Sequence, residues 1–160
     1  RVAASGILLQ CLETNDVEVA AQTARPGARA RFLRFAATYR SFDLDRAAAF
    51  YQPIFETMGL AQCWRDEQAV CWGDPGDTSS PRYFACLPFD GAPARPGNGV
   101  MTALRNRDAE EVAALHALAL RHGGSDEGAP GVRERYGPTF YVAYVRDPDG
   151  NKLCALYRPK

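Results

Sequence analysis

The stretch FYVAYVRDPDGNKLCALYRP, residues 140 to 159, decides the fold. An apolar run enters a turn at Asp147, Pro148, Asp149 and Gly150, and a second run, Leu153 to Tyr157, leaves it. Proline presets one turn dihedral and glycine supplies the left-handed one, so the stretch is predicted to be two antiparallel strands joined by a tight turn. Upstream, Asp108 with Glu111 forms a capping-box pattern that opens a helix running to Arg121, and Gly123 and Gly124 stop it. Val100 to Arg105 before that helix reads as a strand, and the segment between the helix and Gly137 reads as loop.

The same order is legible further upstream. Phe32 to Arg40 alternates as a strand, and Asp43 sits where an N-cap belongs. Ala47, Phe50, Tyr51, Ile54 and Met58 then follow at helical spacing up to Gly59. Pro53 removes one backbone donor and is expected to kink or shorten that helix. Leu60 to Trp64 and Gln68 to Trp72 read as a hairpin around Asp66 and Glu67, and Arg82 to Pro88 as a fourth strand. A shift of 65 residues lays Ala36 on Met101, Arg40 on Arg105, Asp43 on Asp108 and Phe50 on Leu115, the signature of two register-matched halves. The linker between them is 89 to 99, FDGAPARPGNG.

Composition narrows the function class. Nineteen basic and nineteen acidic residues balance across 160 positions, with no basic stripe, so neither nucleic acid nor an anionic membrane surface is indicated. Partners are expected to be a small molecule or a second copy of the chain. Five cysteines without a CxxC argue against a disulfide framework and a zinc knuckle, which points to a reducing cytoplasm. Residues 1 to 31 break the pattern and read as an N-terminal extension ending at Pro26 and Gly27, without a signal-peptide organisation.

In wording as well as pattern, DPDGN at 147 to 151, FDLDRAAAFYQPIF at 42 to 55 and FDGAPARPGNGV at 89 to 100 resemble the vicinal oxygen chelate superfamily, the glyoxalase, bleomycin-resistance and extradiol-dioxygenase group. The resemblance covers about residues 32 to 159 and implies an α+β fold, two β-α-β-β-β modules (32 to 88 and 100 to 158) forming an incomplete barrel around a cavity. It also implies a cavity closed within one chain or by pairing with a second.

Metal-dependent members hold a divalent ion through His or Glu on cavity-facing strands. Carried over position by position, the first-strand His falls on Ala36, the second-module His on Met101, and the Glu of DPDGN-x-x-E on Cys154. The sequence therefore predicts no metal and no other cofactor. His116 and His122 are assigned to the surface and the end of the second helix. Met101 and Cys154 are read as apolar cavity lining, and Cys154 lacks the neighbouring base that a nucleophile needs.

Arg40 and Arg105 lie four residues past the emptied positions, on the same strand faces as Thr38 and Ala103. They either meet an anion at the cavity mouth or pair with the helix-start aspartates Asp43 and Asp108. Among the strand aromatics, Tyr141 with Tyr83 is the pair expected to face a planar ligand. Three functions stay open at this point: a metal-independent small-molecule binding protein, a glyoxalase-like lyase related to lactoylglutathione lyase, or a non-catalytic paralogue whose cavity is filled by its own side chains.

Overall fold

A computed structural model describes residues 36–77 and 81–159, which lie in the compact unit 34–160. The expectations for residues 1 to 31, and for the start of the first strand at 32 to 35, lie outside the described residues. In chain order the elements are β1 (Ala36–Arg40), α1 (Leu44–Thr57), β2 (Ala61–Arg65), β3 (Ala69–Gly73), β4 (Arg82–Cys86), β5 (Thr102–Arg105), α2 (Ala109–Arg121), β6 (Ser125–Val132), a 3-10 turn (Glu134–Tyr136), β7 (Tyr141–Arg146) and β8 (Lys152–Tyr157).

Two four-stranded mixed sheets result, ordered β1-β4-β3-β2 and β5-β8-β7-β6. In each, the first strand runs parallel to the last and the other pairs are antiparallel, so the two halves share one topology and neither sheet closes into a barrel. The predicted repeat is real in the register: Arg40 pairs with Cys86 where Arg105 pairs with Leu156. Asp43 caps α1 by accepting from the backbone N–H groups of Asp45 and Arg46, and Asp108 caps α2 by accepting from that of Glu111.

Both helices pack on the same side of the sheets, and one core spans the two halves. Phe50, Tyr51, Ile54 and Phe55 from α1 and Val112, Leu115 and Ala119 from α2 meet Tyr39, Val70, Trp72, Leu104, Ala143, Val145 and Leu153 from the strands. The first half contributes rings: Tyr51 stacks on Tyr39 and Phe55, and Trp72 donates its indole N–H to Gln52 at 2.7 Å. Pro53 does not end α1, which continues to Thr57. The carbonyl that its missing N–H leaves unbonded belongs to Ala49 on the exposed side of the helix, where water can serve it.

One expectation fails outright. Ser125 to Val132, read as loop, is strand β6, with register shifts at Gly128 and Gly131. It is an edge strand, and there the proline and glycines that argue against a strand are tolerated, because Pro130 needs no ladder donor on the open side. The turn from α2 into β6 is tight. A Cβ added at Gly124 would lie 2.6 Å from the Arg146 carbonyl oxygen and 2.9 Å from that of Ala119, both backbone atoms that cannot swing aside. Gly124→Ala is therefore expected to lower unfolding free energy by about 2 kcal/mol, measured by urea denaturation, with an unchanged m-value.

Candidate functional site

The alternation of each strand assigns its side chains to a helix-facing or a helix-distal face. In β1, Tyr39 is in the core, so Thr38 and Arg40 point away from the helices. In β5, Leu104 is in the core, which leaves Met101, Ala103 and Arg105 on the distal side, all exposed. Cys154 pairs with Ala103 on one side and Tyr144 on the other, and so shares their face. Ala36 opens β1 opposite Arg82. Met101 and Cys154 thus share the distal face of the second sheet.

The two tyrosines chosen from sequence are not there. Tyr83 and Tyr141 both pack against the core from the helix side, Tyr83 with its ring 4.7 Å from that of Phe55. The correction follows from the hairpin register: Tyr141 pairs with Tyr157, whereas Tyr144 pairs with Cys154. Tyr144 is the distal-face aromatic of β7. The Lys152 ammonium lies 5.4 Å and the Arg133 guanidinium 5.6 Å from its ring centroid, both within cation–π range.

Arg40 and Arg105 pair with neither cap aspartate. The Asp43 carboxylate is occupied by backbone N–H groups, and Arg40 instead donates to the Leu87 carbonyl at 3.2 Å. Two clefts flank the linker, one of about 320 Å³ lined by Arg40, Phe89 and Arg95, the other of about 490 Å³ lined by residues 96 to 101 with Arg146 and Lys152. Arg105 lines neither. Basic groups do converge, but at the second cleft, where Arg146 and Lys152 both hold Glu127, at 2.6 and 3.1 Å. These two hydrogen bonds, Arg146 first, keep the Glu127 carboxyl below the usual range.

Glu127→Gln tests that arrangement. A carboxylate with a depressed folded pKa contributes stability that is full above its unfolded pKa and lost as pH falls through the folded one. The variant is expected to melt below the parent near pH 7, and the gap should close as pH falls through the depressed folded pKa and the parent's carboxyl is protonated too. A gap that persists in acid would assign the effect to packing.

The DPDGN turn, expected as a connector, joins the two halves. Asp147 is buried and accepts from the Tyr51 hydroxyl at 2.6 Å, the Asn151 side-chain amide at 2.7 Å, and the backbone N–H groups of Asp149 and Asn151. Asn151 also donates to the Arg40 carbonyl at 2.9 Å, while Asp149 accepts from Ser41 at 2.6 Å and pairs with Arg46. The motif's acids are thus committed to holding β1 and α1 against the β7–β8 hairpin.

His116 corrects another expectation. It is buried, not on the surface, with Nε2 2.8 Å from Asp126 of β6, and that hydrogen bond lowers the Asp126 pKa. His122 is the exposed C-cap of α2.

Among solved structures, a glyoxalase/bleomycin resistance protein from Albidiferax ferrireducens T118 superposes with TM-score 0.68 at 31% identity, covering 78% of this chain and 97% of its own. The chain belongs to the glyoxalase/bleomycin resistance family. A glyoxalase-related enzyme from Fulvimarina pelagi matches at 24% identity and TM-score 0.62, over 78% of this chain and 87% of that one. Glyoxalase I from Zea mays matches at 23% identity and TM-score 0.60, over 79% of this chain and 44% of its own length. These two share the fold. No family model and no curated protein sequence matches the chain.

The donor set at the carried-over positions is soft or empty. Ala36 offers no donor, Met101 a thioether, and Cys154 a thiol that burial holds protonated by raising its pKa. Such a set does not fit the divalent ions that imidazole and carboxylate ligands select. Among the described residues, no three His, Cys, Asp or Glu side chains come together in a ligating cluster. No helix among them is long and apolar enough to cross a membrane.

Proposed function

We propose that this glyoxalase/bleomycin resistance family member binds a small, planar, anionic molecule without a metal ion. The ligand would lie on the distal face of the second sheet, between the linker and the β7–β8 hairpin. One observation carries the reading: the Tyr144 ring is flanked by Lys152 and Arg133, and Lys152 also lines the cleft of about 490 Å³. An aromatic platform attracts a planar ring by stacking, and the flanking cations supply donors to carboxylate or sulfonate oxygens. Cys154 and Ala103 lie beside Tyr144 in the sheet, and Met101 lines the cleft.

A glyoxalase-like lyase would need a metal-bound oxygen or a carboxylate base on this face. Glu127, the carboxylate of this cleft region, is held by two cations that make it a weaker base than a free side chain. Binding is therefore favoured over proton abstraction. Thr38, Arg40 and Arg105 lie outside that cleft, and Arg40 lines the smaller one with Phe89 and Arg95. Trp64, Val100 and Met101 stand 46%, 69% and 45% exposed, apolar surface that a second copy would cover in closing the cavity.

The test is a fluorescence titration of the folded chain with an anilinonaphthalene sulfonate, a planar aromatic anion, repeated with its neutral analogue. Saturable binding of the anion at one site, competed by aromatic carboxylates and much weaker for the neutral compound, is the expected result. Equal binding of both would refute an anion site.

A further inference from the structure

The distal face of the first sheet carries a feature that the ligand reading does not use. Strands β2 and β3 pair with a register shift: Gln62 faces Trp72 and Trp64 faces Cys71, so Cys63 is the extra residue of a bulge. Strict alternation would set Cys63 apart from its neighbour across the strand; the bulge turns it toward Cys71 instead. Their sulfur atoms are 3.3 Å apart, and the Cys63 thiol is directed at both the Cys71 sulfur and the Cys71 carbonyl oxygen. Cys63 is exposed and Cys71 is buried.

We infer that Cys63 and Cys71 form a dithiol that low-molecular-weight disulfides, of the glutathione type, oxidise to an intramolecular disulfide across the β2–β3 hairpin. The Cys63 thiolate attacks one sulfur of the small disulfide. A bond forms between Cys63 Sγ and that sulfur, the original S–S bond breaks, and one small thiol leaves. Cys71 then loses its proton and attacks Cys63 Sγ, expelling the second small thiol. The protein loses two hydrogens and two electrons, and the small disulfide is reduced to two thiols, so the exchange balances.

The division of labour follows from placement. Cys63 lies on an edge strand open to a bulky reagent, whereas Cys71 is shielded and reaches only Cys63. Burial, then the hydrogen bond from Cys63, pushes the Cys71 thiol up to about 12, which leaves Cys63 to initiate. Neighbouring antiparallel strands bring side chains within a disulfide's span, and a bulged edge strand can give the last ångström. Cys86 and Cys154 are buried, Cys86 with its pKa raised to about 11, and neither has a comparable sulfur contact.

The experiment equilibrates the full folded chain with reduced and oxidised glutathione, quenches with acid, alkylates and maps peptides. The expected product is one cross-link between the peptides bearing Cys63 and Cys71, lighter than the reduced protein by two hydrogens and free of glutathione. With Cys71→Ser, the glutathione adduct at Cys63 should persist at roughly tenfold or more above its level in the parent, because its resolving thiol is gone. Persistence of that adduct in the parent, oxidation elsewhere, or a fully reduced pair at a poise that oxidises ordinary protein dithiols would overturn the assignment. The parent's own peptide map decides the matter even if Cys71→Ser folds poorly.

Discussion

Asp147→Ala is expected to cost about 3 to 4 kcal/mol of unfolding free energy. The carboxylate serves four donors: the Tyr51 hydroxyl, the Asn151 amide and two backbone N–H groups of its own turn. Burial raises its pKa, so the charged form is not in itself favoured there. Most of the loss on removal comes from stranding those donors, each of which gave up water on folding. Asp147→Asn should recover at most half, since its amide nitrogen would face donors on one side. Tyr51→Phe should cost less than either, about 1 kcal/mol, because Asn151 still serves the same oxygen. Urea denaturation of the three variants gives the ranking Ala, Asn, Phe in order of decreasing cost. If Asp147→Ala costs under about 1 kcal/mol, the turn does not hold the two halves together.

The largest functional effect is expected from Arg133→Ala combined with Lys152→Ala. Both cations lie over the Tyr144 ring, and removing them takes away the positive edge that an anion would meet. Affinity for the naphthalene sulfonate should fall roughly tenfold to a hundredfold, and its salt dependence should flatten. Glu127→Gln acts in the opposite direction, since it releases Arg146 and Lys152 from their shared carboxylate, and should tighten binding. A matched control is Arg40→Ala with Arg105→Ala, on side chains outside that cleft, where a small change is expected. If instead that pair abolishes binding and Arg133 with Lys152 does not, the site belongs to the first module.

Much of the fold is legible because local signals agree with it. Asp43 and Asp108 cap the helices they were expected to cap, the turn at 147 to 150 forms, and the two halves repeat one strand pairing. Strand β6 is hidden by its own composition: glycine and proline erase the alternation that marks a strand, and pairing with β7 supplies what propensity does not. The tyrosine assignment fails for a different reason. With Cys154 on the distal face, the turn register that pairs Arg146 with Lys152 also fixes Tyr144 opposite Cys154. Parity carried along both arms of the hairpin would have selected Tyr144 over Tyr141. Charge gives the same hint, since Arg146 and Lys152 share that parity and cannot point into an apolar core.

The partners of Arg40, His116 and Cys63 are not legible at all. Each lies far away in sequence or across an irregular register: the Leu87 carbonyl, Asp126 beyond the helix, and Cys71 across a bulge. Short-range pattern cannot specify them, because tertiary packing and one extra residue in β2 decide where the side chains point.

In the metal-free binding proposed above, the emptied positions at Ala36, Met101 and Cys154 leave the distal face to an organic anion. Elemental analysis of protein purified without chelator or histidine tag tests it most directly. Iron, manganese, nickel and zinc are each expected far below one equivalent per chain, in protein that still binds the aromatic anion. One equivalent of any of them, removed by chelator together with anion binding, would contradict it.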